Sequence, residues 1–233
     1  IFAPTPPLES IRAVLSLAAT RGLWPQVREL EDFTKAKNED EKRIQVSFID
    51  ISRAYFNART KEEDPVYVEL PPEDPDFGKG LCGRLLVHMY GTRKAADGWH
   101  GEYSETMESL GFERGVSSAC VFWHSSRGLL SSVHGDDFTT AGAKEDLDWF
   151  KAKLQEKYEL KEGCRLGPAP QDDKEGRVLN RVVRWTTEGF CYEADPRQYE
   201  KLVEELGLEE AKSVTTPVVK KTAEEIAQDV ELA

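Results

Sequence analysis

One stretch constrains this chain more than any other: Leu129-Leu130-Ser131-Ser132-Val133-His134-Gly135-Asp136-Asp137-Phe138-Thr139-Thr140-Ala141. Two short runs with β-forming residues flank a Gly-Asp corner, which is a strong turn signal between such runs. The pattern predicts a β-hairpin with Asp136 and Asp137 at its tip. Two adjacent carboxylates on a rigid tip repel each other, and a hard divalent cation with oxygen ligands relieves that repulsion. The same tripeptide also serves, without a cation, as a solvated acidic turn.

A second segment bears on that choice. Ile44-Gln45-Val46-Ser47-Phe48-Ile49-Asp50-Ile51 is predicted as a strand, with Ile44, Val46 and Phe48 on one face and Ile49 and Ile51 on the other. Apolar residues on both faces indicate a central strand. Asp50 continues the Ile44, Val46, Phe48 series, and a carboxylate there is costly to bury without a partner or a metal. The alternative is that Asp50 caps Ser52-Arg53-Ala54-Tyr55. A strand-end Asp together with a hairpin Asp-Asp is the carboxylate set of two-metal phosphoryl transfer.

From here a resemblance becomes specific. Phe48-Ile49-Asp50-Ile51-Ser52-Arg53-Ala54-Tyr55-Phe56-Asn57 looks like the Asp-Val-x-x-Ala-Phe-Leu-Asn-Gly block of Ty1/copia-type retrotransposon reverse transcriptases, and the hairpin looks like their Tyr-Val-Asp-Asp box. Further blocks follow in family order. Phe2-Ala3-Pro4 resembles the start of a fingers block. Val66-Tyr67-Val68-Glu69-Leu70-Pro71-Pro72 resembles Val-Tyr-Met-x-x-Pro-Pro. Met89-Tyr90-Gly91-Thr92-Arg93-Lys94-Ala95-Ala96-Asp97-Gly98-Trp99 resembles Leu-Tyr-Gly-Leu-Lys-Gln-Ala-Pro-Arg-Ala-Trp. Lys157-Tyr158-Glu159-Leu160-Lys161 and Thr215-Thr216-Pro217 complete the series. The resemblance covers roughly residues 2–219. Departures are Pro7 for a fingers Arg, Lys94 for a substrate-contacting Gln, Ala96 for Pro, and His134-Gly135 for Tyr-Val.

The resemblance implies an α+β fold: a reverse-transcriptase-like palm, an antiparallel sheet with helices on one face, plus fingers and a partial thumb. Residues 1–187 would be interleaved fingers and palm, with the palm core at about 44–60 and 95–160. Residues 188–233 would start a thumb or connection with an acidic tail. It implies Asp50, Asp136 and Asp137 as catalytic carboxylates and ligands of two Mg²⁺ (or Mn²⁺) ions, with Asp136 the more direct hairpin ligand. Ile51, Arg53, Tyr55 and Lys94 would bind the dNTP, Tyr55 lying below the sugar and excluding a 2′-hydroxyl. Arg181 and Arg184 fall in the block associated with gripping the primer. Read from residues alone, Tyr55 is equally a packed palm tyrosine, and Arg53 and Lys94 are equally solvated. The implied reaction is RNA-directed DNA synthesis, with RNA or DNA template plus primer, dNTPs, and the remaining polyprotein modules (integrase, RNase H) as partners. A rival is a decayed or domesticated copy that only binds nucleic acid or protein. A palm-fold cyclase is a third option.

The rest of the chain supplies the frame. Helices are predicted over Leu8–Ala19 (stripe Leu8, Ile11, Leu15, Ala18; stop at Gly22), through Trp99, Tyr103, Met107 and Leu110 to Gly111, and over Lys144–Tyr158 with Leu147, Phe150 and Leu154 inward. Trp99 and Tyr103 are expected to be core packing. Leu81–Leu85 and Leu179–Trp185 are predicted strands, and residues 26–43 a charged surface insertion. Asp195-Pro196-Arg197-Gln198 is a helix start, ending at Gly207, and the acidic segment from Lys220 is expected to fray.

Charge is the difficulty. The chain carries −12 at pH 7, of which nine acidic residues against four lysines from Glu200 onward contribute −5. Nucleic-acid binders usually show a basic face, so a segregated groove is required, with Arg12, Arg53, Arg93, Lys94, Arg181 and Arg184 as candidates. The four cysteines are widely spaced, without Cys-x-x-Cys, which argues against structural zinc and for reduced thiols in the cytoplasm or nucleus. No apolar run is long enough to span a bilayer. A chain opening Ile1-Phe2-Ala3-Pro4, without Met or signal peptide, reads as a non-secreted piece of a longer protein.

Overall fold

The computed structural model describes residues 5–20 and 44–212. The expectations for Gly22, residues 26–43, Thr215-Thr216-Pro217 and the tail lie outside those residues. In chain order the elements are α1 (Leu8–Ala19), β1 (Gln45–Ile51), a 3₁₀ turn (Ala54–Asn57), β2 (Tyr67–Glu69), β3 (Cys82–Arg84), α2 (Ala95–Ser109), β4 (Glu113–Arg114) and β5 (Val121–His124). There follow β6 (Leu129–His134), β7 (Asp137–Gly142), α3 (Lys144–Gln155), β8 (Leu160–Leu166), β9 (Glu175–Val178), β10 (Arg181–Thr186), β11 (Gly189–Ala194) and α4 (Pro196–Glu205).

Six strands form one sheet in the order β4-β5-β6-β7-β1-β8, antiparallel at every pairing. β1 is therefore central, as its two apolar faces require. Ile49 and Ile51 join Phe138, Val133, Trp99, Tyr103, Met107, Leu147, Phe150 and Leu154 in a core beneath α2 and α3. Val46 and Phe48 join Ala141, Leu166 and the α1 residues Ile11, Val14, Leu15 and Ala18 on the other face, together with Val178 and Val183 of β9 and β10. Helices thus cover both faces, not one: α1 is amphipathic and lies against the second face. Within α1, Ile11, Leu15 and Ala18 are buried as the predicted stripe requires, Val14 joins them, and Leu8 is 44% exposed.

β8 carries a break in register. Ser47 pairs with Arg165, but Ile49 pairs with Glu162, so β8 spends one more residue than β1 over that interval, a β-bulge. Gly163 sits in it. A Cβ there would lie 2.5 Å from the Phe48 carbonyl oxygen, so only glycine fits. Past the bulge, Lys161 pairs with Asp50; an unbroken register would have put Glu162 there.

Two further turns shape the edges. β9 and β10 are joined by Leu179-Asn180, with φ +47° and +57°, a two-residue hairpin closed by the Val178–Arg181 pair. The predicted strand therefore starts at Arg181, because both turn residues take the left-handed conformation such a turn demands. The chain divides after Glu193 into two compact units. In the second, the Asp195 carboxylate accepts from the Arg197 N–H at 3.1 Å and Pro196 opens α4. Gly207 follows its end at φ +63°. Among the described residues no helix is long and apolar enough to cross a membrane.

Candidate active site

Register alone builds the site. His134 pairs with Asp137 across β6 and β7, Asp137 with Asp50 across β7 and β1, and Asp50 with Lys161 across β1 and β8. Residues paired in this way project to the same side of a sheet. One transverse row therefore reads His134, Asp137, Asp50, Lys161, with two carboxylates framed by two basic side chains. Lys161 Nζ lies 3.9 Å from Asp50 Oδ1.

The hairpin between β6 and β7 is a two-residue turn, Gly135-Asp136, with Gly135 at φ +63°. Positive φ at the first central position is the II′ geometry that matches strand twist. Asp136 thus occupies the turn and Asp137 the first position of β7, rather than both standing at the tip. The turn is held from two sides. The Trp99 indole N–H donates to the Gly135 carbonyl at 2.8 Å, and the Ile51 N–H donates to the Asp136 carbonyl at 3.0 Å. Trp99 is core, as expected, but its N–H also anchors the acidic turn; a buried indole needs an acceptor, and that was the available signal.

The Asp137 pKa is raised. Burial is the largest cause, followed by Asp136 and then Asp50, with His134 opposing. The like-charge part of that shift is what a divalent cation would relieve. Among the described residues no group of three or more His, Cys, Asp or Glu is arranged to hold a metal ion. The backbone placement and the acceptor chemistry fit a metal with oxygen ligands.

Around the row, Tyr55 is half-buried against the α2–α3 core and stacks on Tyr90, with ring centroids 4.4 Å apart. Ile51 is fully buried on the core face, and its N–H is committed to Asp136. Arg53 is left-handed (φ +51°) and bonded to Glu159 at 2.6 Å. Lys94, just before α2, is ion-paired with Asp64.

Comparison with known proteins then decides the family. Residues 25–220 match the profile for "Reverse transcriptase (RNA-dependent DNA polymerase)". The chain belongs to that family. It is also 25% identical over 224 residues to the Retrovirus-related Pol polyprotein from transposon TNT 1-94 of Nicotiana tabacum. That match takes in 94% of this chain and 14% of the tobacco polyprotein's length. The Ty1/copia-type resemblance is thereby borne out. A solved structure of apo telomerase from Candida tropicalis, truncated from its C-terminal domain, aligns over 80% of this chain and 45% of its own, at 11% identity and a TM-score of 0.38.

The remaining candidates of this reverse transcriptase domain lie on β10, in a three-stranded sheet ordered β11-β10-β9, and on α1. Arg184 is held between Glu175 at 2.7 Å and Glu193. Arg181 stands over the Tyr192 ring at 5.7 Å, and Arg12 of α1 approaches the same ring at 6.0 Å. Lys161, Glu159 and Tyr90 were in sight as parts of matching blocks, but no spacing in the sequence ties them to the carboxylates.

Proposed function

We propose that this domain carries out template-directed nucleotidyl transfer to a primer 3′-end, as RNA-directed DNA synthesis by a two-metal mechanism. The observation that carries the reading is the register row that sets Asp137 opposite Asp50 beside the Asp136 turn. Asp50, Asp136 and Asp137 would hold the two ions, Mg²⁺ or Mn²⁺. When bound, such ions lower the pKa of the attacking hydroxyl and offset charge on departing pyrophosphate. Asp50 and Asp137 project from adjacent paired strands, so their spacing is fixed by main-chain hydrogen bonds before any ligand arrives. Asp136 is oriented by a turn pinned at both of its carbonyls. Tyr55 would lie beneath the incoming sugar and reject a 2′-hydroxyl. Arg53 and Lys94 would meet the triphosphate after leaving Glu159 and Asp64. Arg181, with Arg12, would contact the primer or template backbone, and Arg184 would do so once released from its two glutamates. In this reading residues up to about 187 are fingers and palm, and the later ones begin a thumb. Template, primer, dNTPs and the other modules of a polyprotein are the partners.

Primer extension on RNA and DNA templates tests the reading: the wild-type chain should extend with dNTPs and Mg²⁺ or Mn²⁺, and Asp136→Asn should not. A second reading, a fold retained only for binding, is favoured by the ion-paired state of Arg53, Lys94 and Arg184 and by the −12 charge. Mn²⁺ titration separates the two. Binding lost in Asp50→Asn and Asp136→Asn supports the polymerase, and no binding in the wild type supports the retained fold.

A further inference from the structure

The segment leading to Lys94 does more than carry that lysine. Ala58–Thr60 runs beside Leu86–His88: the Thr60 N–H donates to the Leu86 carbonyl at 3.1 Å, the His88 N–H to the Ala58 carbonyl at 2.8 Å, and Arg59 bridges Val87. These bonds fix the chain that follows the 3₁₀ turn bearing Tyr55 and Phe56 against the chain that enters Tyr90. The outcome is a three-ring cluster. Tyr90 lies over Tyr55 at 4.4 Å with the planes 35° apart, and Phe56 meets Tyr90 edge-on at 5.8 Å and 83°. Burial raises the Tyr90 pKa, and so, to a smaller degree, do Asp136, Tyr55 and Asp50.

Tyr90 is nonetheless 47% exposed and Phe56 41%. An exposed tyrosine whose main partner is another ring, beside the carboxylate corner, contributes little to a core. What it does constrain is the Tyr55 ring, since a stacked neighbour removes the freedom a half-buried ring would otherwise have about χ1 and χ2.

We infer that Tyr90 is a positioning residue for sugar discrimination: it holds the Tyr55 ring in the orientation that rejects a ribose 2′-hydroxyl. The inference rests on the nucleotidyl-transfer reading above. Exclusion by a side-chain wall depends on that wall not yielding, and a ring free to tilt would admit one extra hydroxyl. Tyr90 touches the gate through Tyr55 and takes no part in bond making, so the effect belongs in the ratio of substrates rather than in the rate with dNTP.

The test compares kcat/KM for a dNTP and its matching NTP on one primer–template, for wild type, Tyr90→Phe, Tyr90→Leu, Tyr55→Val and the Tyr90→Leu/Tyr55→Val double variant, each with a thermal melt. Tyr90→Phe keeps the ring and should keep the wild-type ratio. Tyr90→Leu should lower dNTP-over-NTP selectivity about tenfold, the scale on which a pocket senses one small group. In the Tyr55→Val background Tyr90→Leu should change nothing further, as expected for residues acting as a unit. If Tyr90→Leu does not fold, Tyr90→His, a smaller planar ring, should give an intermediate ratio. A wild-type ratio in folded Tyr90→Leu or Tyr90→His overturns the inference, as does an equal drop in the Tyr55→Val background. A wild-type chain that extends no primer with either nucleotide overturns the nucleotidyl-transfer reading itself, which is a separate failure.

Discussion

The acidic corner and the cations near it are held in place by different means. Asp50 and Asp137 stand opposite one another because β1 and β7 are paired from Gln45–Gly142 to Asp50–Asp137, and Asp136 is held because its turn is bonded to Ile51 and Trp99. Moving any of them means breaking main-chain pairing in the interior of a six-stranded sheet. Arg53, Lys94 and Arg184 are instead placed by exposed ion pairs to Glu159, Asp64, Glu175 and Glu193. Exposed pairs are worth little and exchange partners readily. The acidic set is built to stay, and the basic set is built to let go. On the nucleotidyl-transfer reading, an acidic domain that binds a polyanion would gain from this arrangement, its cations being neutralised until phosphate competes for them.

The largest effect should come from breaking the fixed side. Asp136→Asn or Asp50→Asn should cut primer extension by on the order of a thousandfold or more, with the melting temperature unchanged or raised. Asp137→Asn sharpens the point. The folded-state pKa of Asp137 is raised, so the native state keeps its proton over a window in which the unfolded chain has released it. Native stability therefore falls as pH rises through that window. In chelator above the window, the Asn variant should melt higher than wild type by about 2 °C. The gap should close as pH drops below the unfolded carboxylate's pKa. An Asn variant that melts lower throughout would mean that neither burial nor like charge strains the Asp137 carboxylate.

Next comes the turn's anchor. Trp99→Phe keeps an aromatic ring in the core but leaves the Gly135 carbonyl without its donor. It should cost about 1 kcal/mol of stability and raise the Mn²⁺ concentration needed for half-saturation, while KM for the dNTP stays put. A variant with lowered stability and unchanged metal affinity would confine Trp99 to packing.

On the exchangeable side, wild-type binding to an RNA–DNA hybrid should show a shallow salt dependence, on the order of three to five phosphate contacts at about −0.9 per contact in log K against log salt. Glu175→Gln with Glu193→Gln frees Arg184 and should steepen that slope by about one contact. Arg181→Ala should flatten it by the same amount. Smallest of all, Glu159→Ala, which frees Arg53, should alter stability by no more than about 1 kcal/mol, as an exposed pair does. Slopes that ignore all of these substitutions would place the groove elsewhere.

Much of the frame could be read in advance because it rests on local pattern. The two apolar faces of Ile44–Ile51 required a central strand, the Gly-Asp corner required a tight turn, and the stripes through Trp99 and Leu147 required helices. What escaped was whatever depends on distant chain or on a change of parity. Lys94 meets Asp64 across a long loop, and Arg53 meets Glu159 only because β1 and β8 pair at Ile51–Leu160, and nothing in either neighbourhood announces the partner. The Leu179-Asn180 turn was hidden because both residues take positive φ without being glycine. Lys161 was hidden by the bulge. A strict two-residue alternation puts Leu160 and Leu166 on one face, yet Leu160 packs with the α2–α3 core and Leu166 with the α1 core.

That bulge also sets how β8 tolerates change in length. Gly163 is the surplus residue in an interval where β1 uses one fewer. Removing it would merge the two halves of the strand into one continuous ladder and leave Lys161 facing Asp50. Enlarging it by a single methyl would drive an atom into the Phe48 carbonyl, and the simplest escape, a slip into unbroken pairing, would deliver Glu162 to Asp50 in place of a lysine. Position 163 should therefore accept loss more readily than growth, an inversion of the usual ranking in which deletions inside a strand are worse than substitutions.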